Sequence, residues 1–471
     1  MKKRLLFTVC LLALCFSSLA QTPSPIAGDW LGTLNISAVK LRLVFHIQPD
    51  GNGYKATLDS PDQGAKGIPV DKVEFRNDSL SVFMNRLGAT YWGVYRRDSA
   101  YVQGTFTQGG QSLPLTLRKT TGEVTLKRPQ EPKPPYPYKE EQVVYENTAA
   151  HTQLAGTLTY PATGSKFPVV ILITGSGPQD RDETLMGHKP FLVLADYLTR
   201  QGIAVLRVDD RGVGQSTGNF ATATSADFAE DVKAGIAYLK TRKEINPKKI
   251  GLIGHSEGGM IAPMVAANNP DVAFLVLMAG PGITGKEILR TQTGEIYRKM
   301  GVPETEVQKI LAYSEDSQKI VEQTEADPQK LKAAYETLIQ QHFAGMSEAR
   351  KAELGINADT EVAQVTTMRS PWMRYFVAFD PVPVLKQVKA PVLAINGTKD
   401  VQVLADINLK GIETALKQGG NKHVAIQKLE GLNHLFQKAN TGLPAEYSTI
   451  EETINPEALT LMGNWVKKIA Q

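Results

Sequence analysis

One serine stands out for its surroundings. In Gly254-His255-Ser256-Glu257-Gly258 a hydroxyl sits between two glycines, just after the apolar run Ile250-Gly251-Leu252-Ile253 and just before another that opens at Met260. A buried strand that feeds a helix through so short a link must turn sharply, and flanking glycines leave room for the turn. Such a turn lifts the hydroxyl to the end of the strand and aims helix N–H groups at the same point. The chemistry this suits is nucleophilic attack on a carbonyl. A glycine-rich link without chemistry has the same composition, so the reading depends on partners.

A serine hydroxyl is a weak nucleophile until a base takes its proton and an acid orients the base. Further along the chain come an aspartate and then a histidine. Asp400 closes Asn396-Gly397-Thr398-Lys399-Asp400 just past one apolar run, and His434 lies in Gly431-Leu432-Asn433-His434 just past the next. Both are expected on loops at the edge that carries Ser256. The remaining histidines fit less well. His46 falls in an N-terminal β region, His342 in a helical interval and His423 before a strand. His255 reads as packing, and His188 is a lesser candidate for the pocket. Glu287 is the next acid should Asp400 not serve. The oxyanion formed on attack needs two donors. They are expected to be the N–H of Glu257 and the N–H of Ser176, in the loop Thr174-Gly175-Ser176-Gly177-Pro178.

Two other motifs have blander readings. Asp209-Asp210-Arg211-Gly212-Val213-Gly214-Gln215-Ser216 is glycine-rich, but no Lys-Ser/Thr pair completes a phosphate loop and the spacing does not match a dinucleotide fingerprint. Arg211 is expected to be an ion-pair hub among carboxylates that include Asp180 and Asp182. Trp372, Tyr375, Phe376 and Phe379 recur at helical spacing. They either dock a helix on the core or wall an acyl pocket. No cofactor and no metal are called for.

The elements that must position these residues alternate. Apolar runs at Val169–Ile173, Ala204–Val208, Ile250–Ile253, Phe274–Met278, Val392–Ile395 and Val424–Ile426 read as buried strands with helices between them. Thr224 with Asp227 caps one helix, and Asn455-Pro456 opens the last. The pattern predicts a mostly parallel sheet covered on both faces. Residues 283–380 break the rhythm with charged amphipathic stretches, Glu304–Glu322 and Gln329–Phe343 among them. They are read as a helical cap over the serine that sets substrate size.

The amino-terminal part is different. Period-two alternation, as in Leu41, Leu43, Phe45 and Ile47, predicts a small all-β barrel or sandwich over 21–118. Its aromatics Trp30, Tyr91, Trp92, Tyr95 and Tyr101 are either core or the lining of a ligand cavity. Prolines among charges mark 119–141 as a linker into a domain at 142–471. Residues 1–20 read as a secretory signal: Lys2, Lys3 and Arg4, then twelve residues of apolar run, then Ser18-Leu19-Ala20. The run is shorter than the roughly 20 residues of a spanning helix, so no stable membrane span is expected. Loss of that segment takes the formal net charge from +4 to +1 and removes both cysteines, Cys10 and Cys15. The mature chain would then form no disulfide, and its charge implies no nucleic-acid partner. Composition carries no signal of oligomeric state.

From about 142 to 470 the chain resembles bacterial α/β-hydrolases of the serine aminopeptidase-like superfamily. The stretches that carry the resemblance read GSGPQDRDE, DDRGVGQS, GHSEGG, NGTKD and GLNH. The resemblance implies an α/β-hydrolase fold with a helical cap and an N-terminal all-β domain. It further implies an exported carboxylesterase acting on a small-molecule ester, with Ser256, Asp400 and His434 as the triad. Many relatives carry a histidine where this chain has Thr174, which predicts altered hydrogen bonding behind the oxyanion hole. Peptidase relatives share the same motifs, so an aminopeptidase-like serine peptidase is the alternative. A non-enzymatic protein that binds through its β domain is a third reading.

Overall fold

The computed structural model describes residues 24–36, 39–63, 65–109, 111–122 and 127–470. The segment read as a signal lies outside the described residues. The chain divides into two compact units near residue 124.

Alternation builds the first unit. Its strands are β1 (Gly28–Ile36), β2 (Val39–Asp50), β3 (Gly53–Ser60), β4 (Ala65–Pro69), β5 (Lys72–Arg76), β6 (Ser79–Met84), β7 (Ala89–Arg96), β8 (Tyr101–Gln108) and β9 (Gln111–Thr120). They pair antiparallel in the order β2-β1-β9-β8-β7-β6-β5-β3-β4, and a further β2–β3 pairing closes the sheet into a barrel. Along β6, Leu80, Val82 and Met84 are buried while the residues between them are half-exposed, the period of a strand with one face in a core. Trp30, Phe45 and Tyr91 fill the interior. Their polar atoms are satisfied: Trp30 Nε1 donates to the Ile26 carbonyl at 2.7 Å and the Tyr91 hydroxyl to that of Leu115 at 3.2 Å. Trp30 and Tyr91 are therefore core. Trp92, on the opposite face of β7, is 56% exposed.

The second unit is a mixed sheet between helical layers. Its elements begin with β10 (Tyr138–Asn147), β11 (Thr152–Pro161), β12 (Phe167–Ile173), α1 (Pro190–Arg200), β13 (Ala204–Val208), α2 (Ser225–Thr241), β14 (Ile245–His255), α3 (Gly258–Ala266) and β15 (Phe274–Met278). The strand order is β10-β11-β13-β12-β14-β15-β16-β17, with β16 at Val392–Gly397 and β17 at Val424–Leu429. The run from β13 to β17 is parallel, whereas β10 and β11 are antiparallel to their neighbours. This is the α/β-hydrolase fold. The β10–β11 hairpin has no counterpart among the apolar runs. β10 is an outer strand whose Lys139, Glu140 and Gln142 face outward, so its charges mask it. β9 runs to Thr120 and β10 begins at Tyr138, so strand reaches into both ends of the 119–141 read as linker from composition.

Between β15 and β16 the chain forms α4 (Gly285–Lys299), α5 (Glu304–Gln323), α6 (Pro328–Phe343), α7 (Glu348–Glu353), α8 (Ala358–Met368), α9 (Pro371–Ala378) and α10 (Pro381–Leu385). α11 (Ala405–Gln418) joins β16 to β17, and α12 (Pro456–Ala470) ends the chain. α1 and α12 cover one face of the sheet through Phe191, Leu194, Leu198, Met462 and Val466. α2, α3 and α11 cover the other through Ile236, Ile261 and Ile412. α5, α6 and α8 pack on a core of their own, centred on Val307, Tyr335, Phe343 and Val365. α4 and α9 tie this layer down, because Ile288 and Phe376 pack with Met260 of α3 and with Val403. Parallel strands put all their loops of one kind at one edge, and the candidate residues gather there.

Candidate active site

Ser256 follows β14 with φ +54°. That left-handed conformation costs a non-glycine residue about 1–3 kcal/mol and persists only where its surroundings impose it. They do so here. The Ser256 N–H donates to the Met278 carbonyl of β15 at 2.8 Å, and its carbonyl accepts from the Gly259 N–H at 2.9 Å. The two glycines of the motif are places where backbone meets backbone. A Cβ on Gly254 would sit 2.0 Å from the Gly258 carbonyl oxygen, and one on Gly258 would sit 2.1 Å from the Ile173 carbonyl oxygen at the end of β12. Any larger residue would push the turn away from the sheet.

His434 and Asp400 are brought together. His434 Nδ1 lies 2.7 Å from Asp400 Oδ2, with both side chains buried. The other carboxylate oxygen accepts the N–H groups of Gln402 at 2.8 Å and Val403 at 2.9 Å. The carboxylate is thus an acceptor on both oxygens, which assigns the proton of a neutral His434 ring to Nδ1 and leaves Nε2 without one. Ser256 Oγ takes part in no hydrogen bond among the described residues. The structure joins His434 to Asp400 and sets Ser256 on the same edge, without a direct bond from Ser256 to His434. Glu287, the fallback acid, is occupied elsewhere as the N3 residue of the α4 capping box with Thr284.

The loop after β12 runs beside the serine: a Cβ on Gly175 would lie 3.4 Å from the Ser256 Cβ. Among the described residues the N–H groups of Ser176 and Glu257 donate to no protein acceptor, whereas the Gly175 N–H donates to Glu183 Oε1 at 2.7 Å. Thr174 turns its hydroxyl the other way, onto Asp210 Oδ1 at 2.9 Å. Burial pushes the Asp210 carboxyl up to about 8. The Glu257 carboxyl is also raised by burial. Its Oε1 accepts the Ser225 hydroxyl at 2.5 Å and Trp372 Nε1–H of α9 at 2.8 Å. One residue thus offers a backbone N–H beside Ser256 and a side chain to α9. A cavity bordered by Gly175, Asp210, Arg211, Phe228 and Glu257 lies behind this loop, and Ser256 does not line it.

Several residues take roles that their sequence context hid. His255, read as packing, is bonded at both ring nitrogens: Nδ1 lies 2.9 Å from Glu183 Oε1 and Nε2 lies 2.9 Å from the His434 carbonyl oxygen. Arg211 is an ion-pair centre, but with Asp231 at 2.7 and 2.8 Å rather than with Asp180 or Asp182. Asp182 pairs with Arg207, and Asp180 Oδ1 accepts the N–H groups of Asp182 and Thr184. Arg181 grips Asp209, 2.6 Å from Nη2 to Oδ2. Burial opposes the charge on Asp209, yet Arg181 and two backbone N–H groups hold its pKa below the usual value. Asp180 and Asp182 are not available to Arg211, because Asp182 is taken by Arg207 and Asp180 caps its own turn.

Residues 189–437, more than half of the chain, match the family described as serine aminopeptidase, S33. The chain belongs to that family. The matched segment contains Ser256, Asp400 and His434 and stops three residues past the histidine. Esterase EstD of Thermotoga maritima is 26% identical over 317 residues, which are 67% of this chain and 66% of EstD. A putative carboxymethylenebutenolidase of Synechocystis is 28% identical over 137 residues, 28% of this chain and 55% of that protein. The chain therefore spans less than two thirds of either relative. Among solved structures, the Pyrococcus furiosus esterase Pf2001 aligns with 71% of this chain and 91% of its own at 17% identity and a TM-score of 0.42. Est1E of Butyrivibrio proteoclasticus, solved with ferulic acid bound, aligns with 69% and 96% at 15% identity and a TM-score of 0.37.

His188, the lesser candidate, is a sealed structural residue. Its Nδ1 lies 2.9 Å from Thr453 Oγ1 and its Nε2 lies 2.9 Å from the Tyr447 carbonyl oxygen. Burial, with Arg128 nearby, pushes its pKa down to about 4. As pH falls through the ordinary histidine range the unfolded chain takes up this proton first, so folding weakens between about pH 6.5 and 4. Relative to His188→Gln, the wild type is expected to lose about 2 kcal/mol between pH 7 and pH 4.5. Urea unfolding of both proteins at the two pH values measures this. An unchanged gap would mean that His188 titrates normally.

Proposed function

We propose that this protein is a serine hydrolase that cleaves carboxylic esters of small molecules through an acyl-enzyme on Ser256. The observation that carries the reading is the 2.7 Å bond between His434 Nδ1 and Asp400, on loops at the edge where Ser256 is held in a left-handed turn. In this reading His434 Nε2 takes the Ser256 proton as Oγ attacks the ester carbonyl. Asp400 keeps the ring in the required tautomer and balances its charge. The N–H groups of Glu257 and Ser176 receive the oxyanion. His434 then protonates the departing alcohol, and water enters by the same route to release the acid. Export after loss of residues 1–20 belongs to the same proposal, since a chain without cysteine suits an oxidising compartment.

The test is a panel of p-nitrophenyl esters set against aminoacyl p-nitroanilides. Ester turnover is expected, with little on the anilides. The reverse preference would favour the aminopeptidase alternative. Ser256→Ala is expected to stay folded and to lose about a millionfold in kcat. His434→Ala should fall about as far, while Asp400→Asn should lose about ten-thousandfold, because it orients the base without moving the proton. Near-normal turnover in a clean Ser256→Ala preparation would end the proposal, and a neutral Asp400→Asn would move the acid elsewhere.

The cap is the part of this proposal that sets acyl length. Trp372 and Phe376 stack at 5.5 Å, and Trp372 reaches the residue next to the nucleophile. A methylene in an apolar pocket is worth about 1–3 kcal/mol of discrimination, so Trp372→Ala or Phe376→Ala should change the butyrate-to-acetate ratio of kcat/KM about tenfold. An unchanged ratio in both variants would place the acyl pocket away from α9.

A further inference from the structure

The hydrolase reading leaves a buried ion pair beside its machinery with no task. Glu183 and His255 are each nearly inaccessible, with exposures of 3% and 6%. A single carboxylate oxygen, Glu183 Oε1, accepts two N–H groups: that of Gly175 at 2.7 Å and His255 Nδ1 at 2.9 Å. The second ring nitrogen of His255 lies 2.9 Å from the main-chain oxygen of His434. A carbonyl only accepts, so Nε2 carries a proton. A carboxylate that already takes an amide N–H wants a proton from Nδ1 as well. Both ring nitrogens therefore donate, and His255 is an imidazolium. Burial opposes that charge, but Glu183, the His434 carbonyl and Asp400 together raise the pKa.

The three bonds run to three separate loops. Gly175 lies in the loop after β12, His255 precedes the serine on β14, and His434 lies after β17. The His255 and His434 rings are also 4.9 Å apart between centroids. We propose that Glu183 and His255 act together as positioning residues that fix the base loop and the oxyanion loop against the nucleophile elbow. This rests on the serine-hydrolase reading.

Glu183 is itself held by a frame. Asp180-Arg181-Asp182-Glu183 reads as a run of charge, yet each residue has a distinct bond. Asp180 caps the turn, Arg181 pairs with Asp209, and Asp182 pairs with Arg207 of β13. Glu183 has φ +52° and Phe436, two residues past the base, has φ +60°. Both are strained backbone conformations that persist only under restraint. Two ion pairs to the end of β13 supply the restraint on one side. The Asn433 side chain supplies it on the other, accepting the N–H groups of Leu435 at 3.0 Å and Gln437 at 2.9 Å.

The pair is sensitive to charge rather than to shape. In Glu183→Gln the side chain keeps its outline, but a neutral glutamine beside a neutral histidine cannot make all three bonds. If the amide oxygen faces Gly175 and His255, the ring must carry two protons and bury an uncompensated charge. If the ring stays neutral, one loop loses its tether. His255→Asn keeps a donor near Glu183 and gives up the bond to the His434 carbonyl.

The experiment compares the full-length wild type, Glu183→Gln, His255→Asn and the double variant on p-nitrophenyl acetate, with a fluorophosphonate to count reactive Ser256. Each single variant is expected to keep a full count of sites and a KM within about twofold, while kcat per site falls about 100-fold, the loss that follows from a displacement of about 1 Å at reacting groups. The double variant should be no slower than the poorer single variant, because the two residues act as one unit. Should one single variant fail to fold, the other decides alone. Single-variant kcat values within threefold of wild type would overturn the proposal, as would losses that multiply in the double variant. An inactive wild type, with Ser256→Ala equally inactive, would instead remove the hydrolase reading on which this one stands.

Discussion

A serine forced into a left-handed turn is the constraint from which the rest of the second unit follows. The conformation is unfavourable in isolation, so β14, β12 and β15 have to impose it together. They do so with main chain rather than side chains: Ser256 hangs from the Met278 carbonyl, and Gly258 rests on the last carbonyl of β12. This works only if those three strands are neighbours, parallel, and end at the same level. The strand order supplies that arrangement. A one-residue slip of β14 against β12 would turn the hydroxyl into the sheet.

Around this turn the molecule keeps an unusual amount of charge out of water. Asp209, Asp231, Glu183 and Asp400 are all buried, and each meets a cation or a set of N–H donors. Asp210 and Glu257 lack a cation, and their pKa values rise instead. The division is physical. A carboxyl group with a counter-charge can stay ionised in the interior, and one with only neutral donors drifts toward the acid form. The loops around Ser256 are therefore stiffened by polar bonds in a region where apolar packing gives way.

Much of the second unit was legible because its strands are buried on both faces and read as unbroken apolar runs. The motif Gly-His-Ser-Glu-Gly was legible for the same reason: a strand signal before it and a helix signal after it leave one geometry. Asp400 and His434 could be chosen from their position after successive strands. What the sequence hid is what depends on folding. β10 carries Lys139, Glu140 and Glu141 on an outer strand, so its pattern looks like linker. His255 looked like filler because its two partners, Glu183 and the main chain of His434, are 72 and 179 residues away. Arg211 is an ion-pair centre, as its charged surroundings suggest, but its partner is not in the Asp180–Asp182 run. The partner, Asp231, lies in α2, 20 residues further along. The Asp-Arg-Asp-Glu run did hold a signal, since four charges beside a glycine loop and a buried strand need counter-charges.

In the first unit, the β2–β3 pairing closes eight strands on themselves, a girth that side chains can just fill. Trp30, Phe45 and Tyr91 do fill it. A wall closed in this way leaves, among the described residues, only the short β4 with an unpaired edge, and its lumen is taken up by the protein's own aromatic rings. Whatever this unit touches, it must touch from outside. The indole of Trp92, turned away from the packed interior, is the large apolar surface that the wall presents.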